Sequence, residues 1–409
     1  MSSNLIAPRR FAMSFLVILF GCISIYKNGT ITIFELSALL VIPIVGKSKF
    51  RNFQLRTFLF VCFFWSLHQF IRDIITNSSF PSAFVAAGPL LIAFVLYSIY
   101  LSERNKIAWN KMLGCLTIGG LLLEFSVGYA FQTSNNWKYS YGILVTLSVL
   151  ILLSNNKANN RFLLIIILIL IFIDFQQDSR SLLIATLLCA ILILFINRFK
   201  IFKIKYSKII NVSLVLTLIL VALMPFPLNS TLIQSRNGSI PSANPTLLNE
   251  TLSARLEAPQ LAYLALLNLP FGIGSYGHIE DSQNRSSIEF VDKYIKHLNI
   301  NEIRYLRNNP QLNLDYTVHS QIGTSVLFGG IFAVPFWVWL LRRSYQSTIT
   351  IITYGLINKI PCFFLNLMTI WNAFFSPYTT RSYILIGIAI FANLDPEITK
   401  KTMERRNGV

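Results

Sequence analysis

Charged residues are scarce in this chain. They make up 13% of its 409 residues, whereas 54% of the residues are hydrophobic. A soluble globular domain carries roughly 25% charged residues. So few charges cannot cover the water-facing surface of a chain this long. The deficit therefore excludes an ordinary soluble domain and favours a protein embedded in a lipid bilayer.

Several familiar sources of chemistry are also missing. All five cysteines lie in apolar runs and none has C-x-x-C spacing, so we expect small apolar side chains rather than metal ligands or a disulfide framework. There is no H-E-x-x-H motif, no nucleophile triad and no acidic cluster outside the apolar runs. No metal or cofactor is expected. The net charge of +18 is not gathered in one patch, so no nucleic-acid partner is predicted.

Long apolar runs are present along almost the whole chain. A helix needs about 20 apolar residues to cross a bilayer, and continuous rather than alternating runs favour helices over a barrel. The sequence therefore predicts an all-α polytopic membrane protein of about twelve transmembrane helices. The predicted spans are 11–26, 31–46, 57–76, 83–101, 112–131, 141–154, 162–175, 181–197, 209–226, 321–341, 360–376 and 381–394.

Lysine and arginine fall mainly in alternate connections between these runs. The positive-inside rule makes those connections cytoplasmic and predicts that both termini are inside. Arg9 and Arg10 precede the first run without a cleavage site, which indicates an uncleaved span. Residues 344–359 are ambiguous, and we expect an interfacial helix on the cytoplasmic face rather than a span with a buried lysine.

One connection is much longer than the rest. The alternation leaves Pro227–Val318 outside, about 90 residues where about 4–6 are usual. Its mixture of charges, aromatic residues and apolar periodicity predicts a folded cap. The chain then divides into helices 1–9 (1–226), an extracytoplasmic loop with helical segments (227–320), and helices 10–12 with a cytoplasmic tail (321–409).

The first candidate site residue is Arg180, in Ser179-Arg180-Ser181 at the outer end of a predicted span. An arginine at a membrane edge can simply extend its charge into water. A guanidinium fixed at the mouth of a cavity would instead suit a diphosphate, because its planar fork donates to two oxygens and always stays charged.

The second candidate is Arg255, in the large loop. It lies in a predicted amphipathic helix, bent at Pro259, whose apolar positions are Leu252, Leu256, Tyr263, Leu266 and Leu267. The helix stops at the turn Pro270-Phe-Gly272-Ile-Gly274. The two glycines are a weak phosphate signal, since no strand precedes them. Taken alone, Arg255 is more readily explained as a solvated helix charge.

The third candidate is His319, where the loop re-enters the membrane. A histidine can take a proton from a hydroxyl at neutral pH, and it can equally serve as an interfacial polar residue. His68 and Arg72 share a helix face in the third span, and Glu124 lies in the fifth. We regard these three as weaker candidates.

The three sites follow one another in this order and all lie on the predicted extracytoplasmic side of the membrane. In this arrangement the chain resembles the O-antigen ligase and O-antigen polymerase superfamily of bacterial membrane glycosyltransferases. The matching motifs are Ser179-Arg180-Ser181, Arg255 with Pro270-Phe-Gly272-Ile-Gly274, and His319-Ser320 followed by Gly329-Gly330. The resemblance covers about residues 160–395. The chain departs from it at Ser320, where the family has asparagine, and at Glu257-Ala-Pro259, where the family often has tryptophan.

The resemblance implies a metal-independent glycosyl transfer. The donor is a glycan on a polyprenyl diphosphate, and the acceptor is a sugar hydroxyl of a glycan or lipid-linked molecule. Arg180 and Arg255 would stabilise the charge of the leaving diphosphate, and His319 would be the general base.

Three functions remain open. The first is a polymerase that joins lipid-linked repeat units. The second is a ligase that moves finished glycan to a lipid A core or another acceptor. A transporter or lipid flippase is the third, although such proteins often show the matching halves that this chain lacks.

Overall fold

The computed structural model consists of helices, and the residues that it describes include no strand. Apart from a few positions before residue 40, the described ranges are 53–75, 82–103, 109–126, 141–155, 160–176, 179–199, 263–272, 320–376 and 380–406. The all-α prediction is confirmed for these residues. The predicted spans 11–26, 31–46 and 209–226 lie wholly or largely outside them, as do most of the large loop, Arg255 and His319.

The helices follow the apolar runs, because a helix satisfies the backbone hydrogen bonds of a continuous run within the run itself, and α2 continues even through Pro89. Each helix from α1 to α10 overlaps a predicted span, and α11 lies in the predicted tail. In chain order they are α1 Phe53–Ile75, α2 Ser82–Glu103, α3 Trp109–Ser126, α4 Gly142–Asn155, α5 Asn160–Gln176, α6 Arg180–Phe199, α7 Gln321–Gly329, α8 Val334–Tyr354, α9 Ile360–Phe375, α10 Thr380–Asn393 and α11 Pro396–Arg406. Short 3-10 turns, Gly330–Ala333 and Ile357–Lys359, precede α8 and α9.

One helical stretch in the described part of the chain, Gln321–Tyr354, is long and apolar enough to cross a membrane. Shorter apolar stretches occur at Ala86–Tyr100, Gly142–Ser154, Ile165–Gln176, Ser181–Leu194 and Ile384–Asn393. The prediction of a separate interfacial helix at 344–359 is wrong. The chain continues α8 to Tyr354, since no helix breaker occurs before Gly355, which caps it with φ of 60°.

Helix α9 lies at the centre of the described bundle. It packs against α4, α6, α7, α8 and α10, while α2 packs between α1 and α10. Phe363 and Phe364 on α9 are fully buried. Close approach of α10 to α2 depends on Gly387, because a Cβ there would lie 2.9 Å from Cβ of Ile92. Small residues at such crossings let membrane helices pack on their backbones.

A buried polar network joins the helices at the end of the bundle where α9 begins. Arg343 donates from Nη2 to the carbonyl of Asn393 at 2.7 Å and to Oγ1 of Thr399 at 2.7 Å. Lys359 donates to Asp395 at 2.7 Å, and both are buried. Asp395 also accepts from the backbone of Glu397 at 2.8 Å and so caps α11. The sequence favours a structure in which Lys359 is not buried. In the structure Lys359 is buried, and the Asp395 carboxylate is its partner.

Three helices expose rows of large apolar side chains. On α1 the exposed side chains include Phe60 at 65% and Phe63 at 60%, and on α5 they include Phe172 at 62%. Further exposed members of these rows are Phe64, Leu67, Phe70, Ile71, Ile74, Ile75, Ile165, Leu168, Ile169, Phe175, Leu187, Ile191 and Leu194. Soluble monomers rarely expose contiguous apolar faces of this extent.

Candidate functional site: where the large loop meets the helix bundle

The described part of the large loop is a helical segment followed by a tight turn. Residues 263–268 are helical, and the backbone N–H of Gly272 closes the turn on the carbonyl of Leu269 at 2.9 Å. Pro270 ends the helix, as the sequence predicts. The predicted apolar face is partly wrong: Ala265 is buried and Leu266 half-buried, whereas Tyr263 and Leu267 are more than 60% exposed. An alanine permits the closest approach to the bundle, so its side of the helix faces inward.

This turn packs directly against the break between α7 and α8. The N–H of Ile331 donates to the carbonyl of Pro270 at 2.8 Å. Gly272 has φ of 81°, and a Cβ there would lie 2.2 Å from the carbonyl oxygen of Phe328. Gly330 has φ of 57°, and a Cβ there would lie 2.2 Å from the carbonyl oxygen of Pro270. Both positions therefore require glycine, for backbone conformation and for space.

Helix α1 supplies the third side of the contact. Its residues Trp65, His68, Gln69 and Arg72 follow the spacing of one helix face. Gln69 donates from Nε2 to the carbonyl of Phe328 at 3.1 Å. Arg72 donates from Nη2 to the carbonyls of Phe271 at 3.2 Å and Gly272 at 3.3 Å. One guanidinium nitrogen thus bonds two successive carbonyls of the turn.

Aromatic rings complete the contact. The ring of Phe332 stacks on His68 with centroids 4.7 Å apart, and on Phe271 at 6.2 Å. Trp65 reaches Gly329, where a Cβ would lie 2.4 Å from its Nε1. We call this contact the loop-docking site. It consists of Trp65, His68, Gln69 and Arg72 on α1, the turn Pro270–Gly272, and residues Phe328–Phe332.

Ser320 anchors the chain where the loop re-enters the bundle. It is the N-cap of α7: its Oγ accepts from the N–H of Gly323 at 2.9 Å and donates to the carbonyl of Ala373 at 2.9 Å. Ser320 is 2% exposed. Ser320 is therefore an effective cap. His319 itself lies outside the described residues, but its neighbour is fixed to both α7 and α9.

Arg180 is the first residue of α6. The structure does not describe the side chain of Arg180, but it describes the residues on either side of it. Ser179 and Ser181 on either side are 1% and 3% exposed. The N–H of Ser179 donates to the carbonyl of Asp174 at 2.9 Å, which closes the short link between α5 and α6. Thr186, almost two turns into α6, donates to the Asp174 carboxylate at 3.1 Å. The backbone that carries Arg180 is therefore held firmly against α5.

Arg180 and Ser320 lie at the same end of α9. Ser320 bonds Ala373, near the C-terminal end of α9. Near the other end, a Cβ on Gly355 would lie 3.4 Å from Ile196, which belongs to the last part of α6. Because α6 packs along α9, its first residue, Arg180, is about 24 Å from Ile196, beside the end that holds Ser320. The backbone of Arg180 and the described residue Ser320 therefore lie at the same end of the bundle.

A small cavity lies just inside this end, with room for about one water molecule, about 10 Å³. Gln321, Thr369 and Asn372 supply its polar lining. Oε1 of Gln321 is buried and has no hydrogen-bond partner among the described atoms. A water in the cavity would satisfy it.

Sequence reasoning missed Trp65 and Gln69, and it ranked His68 and Arg72 as weaker. The available signal was their spacing, which places four hydrogen-bonding side chains on one face of an otherwise apolar helix. Within the described residues, no three His, Cys, Asp or Glu side chains lie together as metal ligands would. Arg255, Gly274 and His319 lie outside the described residues. Compared with known proteins, the chain matches no protein-family model and none of the curated proteins.

Proposed function

We propose that this protein is a membrane glycosyltransferase of a bacterial cytoplasmic membrane, with about twelve transmembrane helices and both termini in the cytoplasm. It takes glycan from a polyprenyl diphosphate and transfers it to a sugar hydroxyl on the extracytoplasmic side. The reaction proposed is polymerisation: a lipid-linked repeat unit is joined to a growing O antigen or related surface polysaccharide.

The exposed apolar rows on α1, α5 and α6 support the membrane part of the proposal. These faces would be unfavourable in water, at roughly 25 cal/mol for each square ångström of apolar surface, and favourable against lipid tails. The buried Arg343 and Lys359 fit the same picture, since both are paired at one end of the bundle rather than exposed along its apolar faces.

The contact between Gly272 and Gly330 carries the functional part of the proposal. These two glycines belong to motifs that the resemblance pairs, the Pro-x-Gly-x-Gly turn and the Gly-Gly sequence, which are far apart in the chain. In the structure each glycine leaves space for the backbone of the other motif. Two short motifs that match by chance would have no reason to fit each other.

The proposed chemistry needs no group beyond the chain and its substrates. His319 takes the proton of the acceptor hydroxyl, and the resulting oxygen attacks the anomeric carbon of the donor glycan. The bond from that carbon to the phosphate oxygen breaks, and its electron pair leaves with the polyprenyl diphosphate. Arg180 and Arg255 stabilise the added negative charge, and they act most strongly when water is excluded.

The direct experiment is transfer by the purified protein in lipid vesicles. The donor is a fluorescent oligosaccharide on a polyprenyl diphosphate, and products are sized on a gel. The proposal predicts a ladder of lipid-linked products of increasing length. Absence of any transfer from several such donors would contradict it.

The same gel separates the polymerase from the ligase. A ligase would leave the donor glycan at its original length and move it only when a lipid A core or similar acceptor is added. In cells, loss of the protein would abolish lipid-linked polymer in the first case and would cause polymer to accumulate on its carrier in the second.

A further inference from the structure

We propose that a surface formed by α8 and α11 binds the anionic headgroups of phospholipids in the cytoplasmic leaflet of the membrane. We call this surface the basic rim, and it consists of Arg342, Tyr345, Lys400 and Met403. The inference rests on the proposed membrane location and orientation of the chain, and it does not depend on glycosyl transfer.

The exposed face of α8 changes in character at Arg342. Exposed residues recur at intervals of three or four along α8 and the turn before it, as one helix face requires. They are Ile331, Pro335, Val338, Arg342 and Tyr345. The first three are apolar, whereas arginine and tyrosine are typical of the level at which a membrane helix leaves the lipid tails and meets the headgroups. The face therefore places the edge of the hydrocarbon layer near Arg342.

Helix α11 is held along α8 at this level. Nη2 of Arg343 donates to Oγ1 of Thr399 at 2.7 Å, and the hydroxyls of Thr350 and Thr402 are 2.8 Å apart. Three of these four side chains are buried. The contact therefore fixes the position of α11 against the part of α8 that follows Arg342.

This contact brings two exposed cations to neighbouring positions. Arg342 precedes Arg343 in the chain, and Lys400 follows Thr399, so each cation is next to one partner of the 2.7 Å bond. Arg342 and Lys400 are both exposed, and so is Met403, one turn after Lys400. A helix face with lysine and an apolar side chain side by side suits the headgroup layer of a bilayer.

The charges in this region are unevenly paired. Both glutamates of α11 already have lysine partners, at 2.9 Å and 3.1 Å. Among the described residues, neither Arg342 nor Lys400 has an ion-pair partner. Two positive charges are therefore left for an anion from outside the chain. The apolar face of α8 leads directly to them, so an anion anchored in the bilayer fits better than a soluble one.

Lipid affinity is measured by native mass spectrometry of the full-length protein in detergent. The protein is titrated separately with phosphatidylglycerol and with phosphatidylcholine of the same acyl chains, which differ in net charge. A lysine or arginine near an anionic headgroup contributes about fivefold in affinity. The wild type should therefore bind phosphatidylglycerol about thirtyfold more tightly than phosphatidylcholine.

Arg342→Ala and Lys400→Ala should each weaken phosphatidylglycerol binding about fivefold, and the double variant about thirtyfold. Arg342→Lys and Lys400→Arg keep the charge and should keep the affinity. Since both positions are exposed, all these variants should unfold at the same temperature as the wild type in detergent without added lipid.

Lys401→Ala is the matched control, because it removes the same charge from the next residue of α11. Lys401 is already bound to Glu404 and lies 5.0 Å from the ring centroid of Tyr354. Its loss should change the affinity for phosphatidylglycerol less than about twofold.

Thermal unfolding in detergent separates a lipid from a soluble anion. Phosphatidylglycerol should raise the unfolding temperature of the wild type, and this rise should disappear in the double variant. Inorganic phosphate should have no more effect than sodium chloride of equal ionic strength. Stabilisation by inorganic phosphate as large as that by phosphatidylglycerol would overturn the assignment to a lipid.

Equal affinity of the wild type for the two lipids would overturn the basic rim. Equal weakening by Lys400→Ala and Lys401→Ala would overturn it as well, because net charge alone would then decide binding. These outcomes are separate from the transfer assay. Absence of glycosyl transfer would contradict the proposed reaction and leave the lipid comparison valid.

Discussion

Gly272 in the large loop and Gly330 between α7 and α8 face each other with no space for a side chain on either. A Cβ on Gly272 would lie 2.2 Å from the carbonyl oxygen of Phe328, and a Cβ on Gly330 would lie 2.2 Å from that of Pro270. Real Cβ atoms do not approach backbone this closely. Each substitution therefore has to separate the loop from the bundle.

Gly272→Ala and Gly330→Ala should both undock the loop. The expected result is faster hydrogen exchange at Ile331 and faster proteolysis within the loop. Gly355→Ala is the control: Gly355 also has a positive φ, of 60°, but its Cβ would meet only a side-chain carbon of Ile196 at 3.4 Å. It should lower stability by about 1 kcal/mol for the left-handed conformation and leave the loop docked. Equal effects of all three variants on the loop would contradict this account of the contact.

Ser320→Ala should destabilise the start of α7. The hydroxyl both caps the helix and donates to Ala373, so its loss should cost about 1–2 kcal/mol in thermal unfolding. Ser325→Ala is the comparison. Ser325 is buried on the same helix, and its hydroxyl has no partner among the described atoms. Its removal should cost little. A larger loss for Ser325→Ala than for Ser320→Ala would show that burial rather than capping matters here.

Asp395→Asn should separate the two roles of that residue. Asparagine still caps α11, but Lys359 loses its buried counter-charge and keeps only Glu397 at 3.1 Å. The expected loss is about 3 kcal/mol, because the partly exposed Glu397 compensates the buried ammonium group less well than the buried Asp395 does. Glu404→Ala, which removes the partner of Lys401 on α11, should change little. Equal stability of the wild type and Asp395→Asn would exclude a stabilising role for the pair.

The same pair gives a pH dependence. Burial alone would lower the pKa of Lys359, but the charge and hydrogen bond of Asp395, with those of Glu397, outweigh it and raise the pKa above its ordinary value. A raised folded-state pKa means that the stabilisation is fully present below the unfolded pKa of about 10.4 and disappears as pH rises through the folded value. Unfolding curves of wild type and Lys359→Met should therefore differ at neutral pH and converge at strongly alkaline pH.

Arg180→Lys should impair transfer. Lysine keeps the charge but replaces the planar guanidinium group, which can donate to two phosphate oxygens at once, with a single ammonium group. The transfer rate should therefore fall by at least about tenfold. Arg198→Lys, near the opposite end of α6, is the control and should be neutral. Full activity of Arg180→Lys would mean that this side chain only extends its charge into water at the membrane edge.

The sequence allows the helices to be predicted well, for a simple physical reason. Apolar runs such as 57–76 and 360–376 are much longer than a usual strand and so favour a helix, and the structure has α1 and α9 there. The stop at Pro270 could be predicted as well, because proline lacks the N–H that a helix needs. Such features depend on a few neighbouring residues.

The assembled site could be predicted only in part. The motifs of Gly272 and Gly330 could each be found, but their fit depends on the path of the chain between them. Gln69 and Trp65 were missed because single polar groups in an apolar helix have many roles. Tyr263 and Leu267 were expected on a buried face, since periodicity gives a helix face but not the element against which it packs. Residues 344–354 extend α8 because no helix breaker precedes Gly355, and packing on α11 supports the same continuation.

The most direct test of the central claim is the transfer rate of His319→Ala and Arg255→Ala in vesicles with a polyprenyl-diphosphate-linked donor. His297→Ala, also in the large loop, is the matched control. Both site variants should insert and fold like wild type, and His319→Ala should lose about 10²–10⁴ in rate through loss of the base. Arg255→Ala should be similarly poor, and His297→Ala should keep wild-type activity. Near-full transfer by both His319→Ala and Arg255→Ala would contradict the account.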